Sequence, residues 1–172
     1  MKAPASRLRI PALVIGTGIA GLTTALGLAK RGVRVLLLTK ADEPGECNTR
    51  YAQGGIIYFG KKDSPGALVR DVLDAGAGLC NAEAVRFLAQ EGPRVVEEVL
   101  IGDAGVPFSR TREGDLDFTR EGAHSVARIV HSADATGKAI ELALLARVKR
   151  ERDVKVWSRA TAVDLITARH HS

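Results

Sequence analysis

Three glycines carry the first recognisable chemistry in this chain. Gly16, Gly18 and Gly21 form G-x-G-x-x-G between a short apolar run and a stretch with helical periodicity. In such a turn the first glycine permits the tight bend, the second lets backbone approach a pyrophosphate, and the third lets helix pack closely on strand. Thr17, Ile19 and Ala20 share the turn, where unpaired N–H groups and the helix dipole attract an anion. A glycine-rich turn that binds nothing is the alternative. The strand, turn, helix and strand around this one favour dinucleotide binding.

The elements that position the turn follow from apolar spacing. Leu13 to Ile15 make a short apolar run, and Ile19, Leu22, Ala25, Leu26 and Ala29 then recur at helical spacing. Gly32 supplies a stop, and Val33 to Leu38 form a second run too short for a helix. Residues 13–40 thus read as a βαβ unit, its strands parallel through a right-handed crossover. An acidic residue usually ends the second strand and holds a ribose hydroxyl. Thr39 and Lys40 stand there instead, and Lys40 reads either as a 2′-phosphate binder or as a surface charge.

Residues 41–62 form a long loop rich in Gly, Asn, Thr and Gln, and loops of that length are usually functional. A helical segment, 63–106, follows. Asp63, Ser64 and Pro65 cap a helix running to about Ala75, and Gly76 and Gly78 end it. Asn81 caps the next, which carries Val85, Leu88 and Ala89; Gly92 with Pro93 breaks it; Val95, Val96, Val99 and Leu100 continue as a third, closed by Gly105 and Pro107. Residues 107–136 are polar and glycine-rich, with irregular backbone or a hairpin expected around Ile129 and Val130. Asp134 or Thr136 caps a last helix with Ile140, Leu144 and Val148 on one face. Val154–Trp157 and Val163–Ile166 then read as strands.

Composition bounds the function. The 172 residues, 45% hydrophobic and 26% charged, suit one globular domain with a sizeable core. The net charge of +5 is scattered, with only Arg147, Lys149, Arg150 and Arg152 clustered, as on a solvated helix end. One Trp, two Tyr and four Phe do not interleave with basic residues as a base-stacking surface requires, so nucleic acid is not an expected partner. Cys47 and Cys80 lack metal-ligand spacing; no metal site or disulfide is expected, and a reducing cytoplasmic setting suits them. Glycines interrupt the apolar stretch at the N-terminus, which therefore reads as strand and turn rather than signal peptide. No run approaches the roughly 20 apolar residues of a membrane span.

Five short motifs in fixed order carry a resemblance: N-T-R-Y-A-Q-G-G at 48–55, D-S-P at 63–65, A-G-A-G-L-C at 75–80, T-R-E-G-A-H-S at 119–125 and D-A-T-G at 134–137. Together they resemble the L-aspartate oxidases, within the succinate dehydrogenase and fumarate reductase flavoprotein family. The resemblance runs from Leu13 to Ile166. It implies an α/β fold, a Rossmann-like FAD-binding domain that is the N-terminal part of a doubly wound parallel sheet. It also implies that the capping and C-terminal helical domains, the catalytic arginine and further substrate-binding His and Arg residues lie beyond the matched region. The 172 residues are then one partial FAD-binding domain, expected to be a fragment inactive alone. Its parts are the βαβ unit 13–40, a flavin-contacting loop 41–62, the helical segment 63–106, a substrate-side loop 107–136, and helix and strands 137–168.

Carried over position by position, the resemblance assigns FAD contacts to Thr17, Gly18, Ile19, Ala20 and Lys40. It assigns the pyrophosphate and flavin to the segment of Asn48, Thr49, Arg50, Tyr51, Ala52, Gln53, Gly54 and Gly55. The glycines there permit close approach to a ring system, and the Gln53 amide can donate or accept. Ala162 and Val163 match backbone positions near the adenine, or are plain strand residues. Where succinate dehydrogenases carry a histidine bonded covalently to FAD, this chain has Asn48, which implies noncovalent FAD. Cys47 replaces a usual serine near the phosphates.

Glu121 stands where the sister dehydrogenases carry phenylalanine. A buried carboxylate there suits the ammonium of L-aspartate, which succinate lacks; otherwise Glu121 is a surface residue pairing with Arg120 or Arg112. His124 and Ser125 end the same motif and are expected at the substrate pocket. Ala123 replaces the family's second glycine, a methyl in a tight place. The implied reaction is FAD-dependent oxidation of L-aspartate to iminoaspartate, with dioxygen or fumarate as electron acceptor. It opens de novo NAD biosynthesis, with quinolinate synthase as the next enzyme. A succinate or fumarate flavoprotein, and a non-catalytic nucleotide-binding module, are the alternatives.

Overall fold

In the computed structural model, which describes residues 8–167, the chain divides into two compact units. Among the described residues, the first comprises 8–47 and 145–167, the second 48–144.

In the first unit, β1 (Ala12–Ile15), α1 (Ile19–Ala29) and β2 (Val35–Leu38) form the expected βαβ unit, and β6 (Val154–Trp157) joins them. All pairings are parallel, in the order β1-β2-β6, with Leu13 opposite Leu36 and Leu36 opposite Lys155. The helix forms because Leu22, Ala25, Leu26 and Ala29 make one apolar stripe, each at most 7% exposed. It packs against all three strands. Burying each leucine contributes about 1.5–3 kcal/mol, which outweighs the helix's glycines at 21 and 27. Gly32 ends the connection with φ +72°, a left-handed turn that glycine takes without a Cβ penalty. Strand alternation and the in-register pairing put Leu13, Ile15, Leu36, Leu38, Lys155 and Trp157 on one face. Leu13 and Ile15 are 51% and 64% exposed there.

In the second unit, α2 (Asn48–Tyr51) is followed by β3 (Ile56–Ile57), α3 (Pro65–Ala75), α4 (Ala82–Val95), a π-helical segment at Val96–Asp103, β4 (Phe118–Thr119) and β5 (Ile129–Val130). The last helix, α5 (Thr136–Lys149), starts here, and its residues from Leu145 onward belong to the first unit. The strands form an antiparallel sheet in the order β3-β5-β4. The caps predicted at Ser64 and Asn81 are present. The Ser64 hydroxyl accepts from Ala67 N–H at 3.2 Å with Pro65 in the first turn, and Asn81 accepts from the N–H groups of Glu83 and Ala84. Ile140, Leu144 and Val148 share the buried face of α5, as their spacing requires.

Four expectations are corrected. The 41–62 loop contains α2 and β3; elements of four and two residues are too short to show a hydrophobic period. Gly92 and Pro93 do not break the helix. Ala89, Pro93, Val96 and Leu100 form one buried stripe across them, so tertiary burial carries the helix on. Beyond Pro93 the helix continues in the wider π register over Val96–Asp103. Thr136 does not cap α5 forward; its hydroxyl accepts the Ser132 N–H from upstream at 2.9 Å. Finally, residues 163–166 are not a strand. Val163, Leu165 and Ile166 are 71–92% exposed, because no described strand lies alongside to supply a hydrogen-bonding ladder.

Candidate functional site

In the first unit, the glycine turn is held by local hydrogen bonding. Gly16 has φ +101°, and its N–H donates to the Leu38 carbonyl of β2 at 2.8 Å. Gly18 is the N-cap of α1 and offers no side chain to the first-turn N–H groups, which also lack an acidic neighbour. A Cβ at position 21 would fall on the Gly16 carbonyl oxygen, so this turn closes only with glycine there. Thr17 is 2% exposed, and among the described residues its hydroxyl makes no hydrogen bond. A buried hydroxyl with no partner among the described residues, at the start of a helix that no side chain caps, is a donor arrangement that suits a diphosphate.

The other residues expected near this turn sit at the carboxyl ends of the same parallel strands, where ligands bind in such sheets. Thr39 directly follows β2, its N–H bonded to the Trp157 carbonyl at 2.9 Å and its hydroxyl accepting from Ala41 N–H. Lys40 beside it is exposed. The chain leaving β6 is tied back to the loop after β2: Ala160 N–H donates to the Thr39 carbonyl, Arg159 N–H to the Ala41 carbonyl, and Arg159 pairs with Asp42 at 2.7 Å. Ala162 and Val163 follow, both exposed.

In the second unit, the Asn48–Gly55 segment docks on the start of α5. Gly137 N–H donates to the Ala52 carbonyl at 3.0 Å, and a Cβ at 137 would strike the carbonyls of Thr49 and Ala52. That contact explains why D-A-T-G and N-T-R-Y-A occur together. Tyr51, Ala52, Gln53 and Gly54 remain exposed. At Gly55 a Cβ would meet Ile129, so the strand approaches its neighbour more closely than any side chain allows.

A cavity of about 610 Å³ opens beside this glycine pair, lined by Gln53, Gly54, Gly55, Thr119, Glu121, His131, Ala133 and Asp134. Glu121 is exposed, not buried as expected. Its carboxylate accepts Gly55 N–H at 3.4 Å, and among the described residues it pairs with neither Arg120 nor Arg112. An open carboxylate over a glycine floor can take a cationic guest.

His124 and Ser125 do not line this cavity. Ser125 gives both its N–H and its hydroxyl to Asp71, each at 2.8 Å, and His124 Nδ1 lies 3.2 Å from Arg128. Arg128 is fully buried and joins the group together, bonding Asp71 at 2.7 Å and Asp63 through two bonds of 2.9 Å. The bonds from the Ser125 backbone and hydroxyl and from Arg128 hold the Asp71 carboxyl below the usual carboxylate range. This network anchors the T-R-E-G-A-H-S loop to α3. Ala123, at the loop's apex, has φ +65°, so the methyl expected to crowd the turn sits in the left-handed region. Nearby, Tyr58 donates to Glu97, and this bond, with burial and the Glu97 charge, pushes its pKa up to about 12.

Sequence reading missed Arg128 and His131. The signals were present. Arg128 stands four residues after His124 and directly before an apolar pair, and His131 directly after that pair, on the face that alternation gives to Ile129.

The FAD binding domain family matches residues 12–171. The chloroplastic L-aspartate oxidase of Arabidopsis thaliana is 45% identical over 156 residues, covering 90% of this chain and 23% of that protein. The L-aspartate oxidase of Vibrio cholerae is 43% identical over 161 residues, 90% of this chain and 29% of that protein. Of the solved structures, Mycobacterium smegmatis Sdh1 superposes with a TM-score of 0.78 at 30% identity, covering 86% of this chain and 27% of that one. An E. coli quinol fumarate reductase gives 0.81 at 23% identity, 88% of this chain and 26% of that one, a likeness of fold. The chain spans about a quarter of the length of the first curated relatives it matches. Among the described residues Cys47 and Cys80 form no disulfide, and no described helix is long and apolar enough to cross a membrane.

Proposed function

Since this chain belongs to the FAD binding domain family and FAD is its cofactor, we propose that it holds the flavin for oxidation of L-aspartate to iminoaspartate. The dinucleotide's diphosphate sits at the Gly16–Gly21 turn, where Thr17 and the N–H groups opening α1 bind it. Lys40, Ala162 and Val163 flank the adenosine half, and Asn48–Gly55 the flavin half. FAD is bound noncovalently, since the Asn48 amide is no nucleophile for the ring. When bound, FAD accepts the hydride. Glu121 orients the substrate ammonium, while His124 and Ser125 act on the pocket through the network that fixes its loop.

The carrying observation is the phosphate turn: a buried hydroxyl with no partner among the described residues, a helix start that no side chain caps, and a glycine that no side chain can replace. The identities to L-aspartate oxidases, with Glu121 bordering the glycine-floored cavity, favour an amino acid over succinate. Dioxygen or fumarate reoxidises the flavin, and iminoaspartate feeds quinolinate formation in the cytoplasm.

Titrating the purified chain with FAD and following quenching of flavin fluorescence tests the first half. Saturable binding, with the flavin released into the supernatant on acid precipitation, is expected. Gly21→Ala should weaken it at least about tenfold, the loss of one or more charge-assisted hydrogen bonds. Unsaturable binding by the wild type would overturn the reading. L-Aspartate, but not succinate, should perturb the bound flavin's absorbance.

A further inference from the structure

We propose that His131 is a second amine-recognising residue in the cavity that Glu121 borders, accepting a hydrogen bond from the substrate ammonium through Nδ1. The inference rests on the reading of this cavity as the L-aspartate site and adds to it a residue that reads the amine.

The geometry comes from β5. Antiparallel pairing sets Val130 between Ile56 and Phe118, so the next residue, His131, lies between Gly55 and Asp117. The imidazole and Gly55 both line the cavity. The two ring nitrogens are not equivalent. Nε2 is buried, makes no hydrogen bond among the described residues, and faces Asp117 Oδ2 at 3.7 Å. The side chain as a whole is 20% exposed. The nitrogen left for a guest is therefore Nδ1.

A carboxylate facing Nε2 favours the tautomer that carries its proton there. The 3.7 Å separation is longer than a hydrogen bond, as such pairs often are before a ligand tightens them. With the proton on Nε2, Nδ1 presents a lone pair. An ammonium is the complementary guest, with three N–H donors and no acceptor. Glu121 and Asp134 line the same cavity, so its walls offer acceptors and negative charge that an ammonium can meet and a succinate methylene cannot.

The test uses the FAD-loaded chain, labelled with nitrogen-15, and two probes with the same two carboxylates: L-aspartate and succinate. His131→Gln assigns the ring signals. The expected spectrum shows the proton on Nε2, with Nδ1 shifting on L-aspartate and not on succinate. His131→Leu should weaken L-aspartate binding about tenfold, the scale of one hydrogen bond to a charged group. Succinate and FAD affinities should stay within about twofold, well below that scale. His131→Asn, which keeps an acceptor near the Nδ1 position, should recover part of the loss.

A proton on Nδ1, an equal loss for both probes, or no loss for either would overturn the inference while leaving the function standing. An effect of His131→Leu on FAD rather than L-aspartate would assign the ring to the flavin and also overturn it. Failure of the wild type to answer L-aspartate when flavin is bound removes this inference and the substrate assignment together. Failure to bind flavin removes the proposed function itself.

Discussion

Arg128 grips Asp63 through two parallel hydrogen bonds, Nε to one carboxylate oxygen and Nη2 to the other, each 2.9 Å, with neither side chain exposed. Its third arm reaches Asp71. A planar guanidinium with fixed donors meets both carboxylates, which a lysine ammonium cannot do in the same geometry. Arg128→Ala should cost about 3–5 kcal/mol by leaving buried carboxylate uncompensated. Arg128→Lys should recover less than half of that. Urea unfolding followed by circular dichroism measures both, and a loss below 1 kcal/mol would contradict the buried network.

Acid should attack the same network at its Asp71 corner. The folded-state pKa of Asp71 is lowered by the Ser125 and Arg128 hydrogen bonds. Its contribution to stability is therefore fully present above the unfolded value of about 3.9 and is lost as pH falls toward the lower folded value. Stability measured between pH 5 and the acid limit should drop more steeply below about pH 4 in the wild type than in Asp71→Asn. Equal slopes would show that Asp71 titrates alike in both states.

Ala123→Gly should stabilise the chain. Ala123 holds φ +65°, where a Cβ costs about 1–2 kcal/mol, and glycine's extra freedom when unfolded returns about 0.4–1 of that. A net gain of a few tenths to about 1 kcal/mol is expected, seen as a rise in Tm. A fall in Tm would mean that the methyl contributes packing worth more than the backbone strain.

At the alkaline end, Tyr58 should ionise late. Its pKa of about 12 exceeds the ordinary tyrosine value of about 10, so its stabilising contribution is intact below about pH 10 and fades as pH rises through the folded value. The difference in absorbance at the tyrosinate band between wild type and Tyr58→Phe isolates this residue from Tyr51. Glu97→Gln should bring the midpoint down, because it removes the charged acceptor.

The sequence made the phosphate turn legible because glycine spacing records backbone necessity. Gly21 is glycine since the Gly16 carbonyl occupies the space of its side chain. Ser64 and Asn81 were legible for a similar reason: a cap is a local bond between neighbours in the chain. What escaped depends on distant partners. Nothing near Pro93 in sequence says that its ring will lie in a buried stripe, and nothing near Arg128 says that Asp63 and Asp71 wait 65 and 57 residues away. The strand expected at 163–166 failed for the same cause in reverse, since apolar alternation signals a willingness to pair and not the presence of a mate.

Leu13 and Ile15 lie exposed on one face of the parallel sheet, with Trp157 partly exposed on the same face under the Lys155 ammonium. Side chains of that size on a flat strip behave as an adhesive. Chains purified alone should gather into larger species as concentration rises, visible by light scattering, and changing Leu13 and Ile15 to threonine should disperse them. Handling of the polypeptide in a test tube is thus governed by a patch remote in sequence from any residue assigned to the substrate.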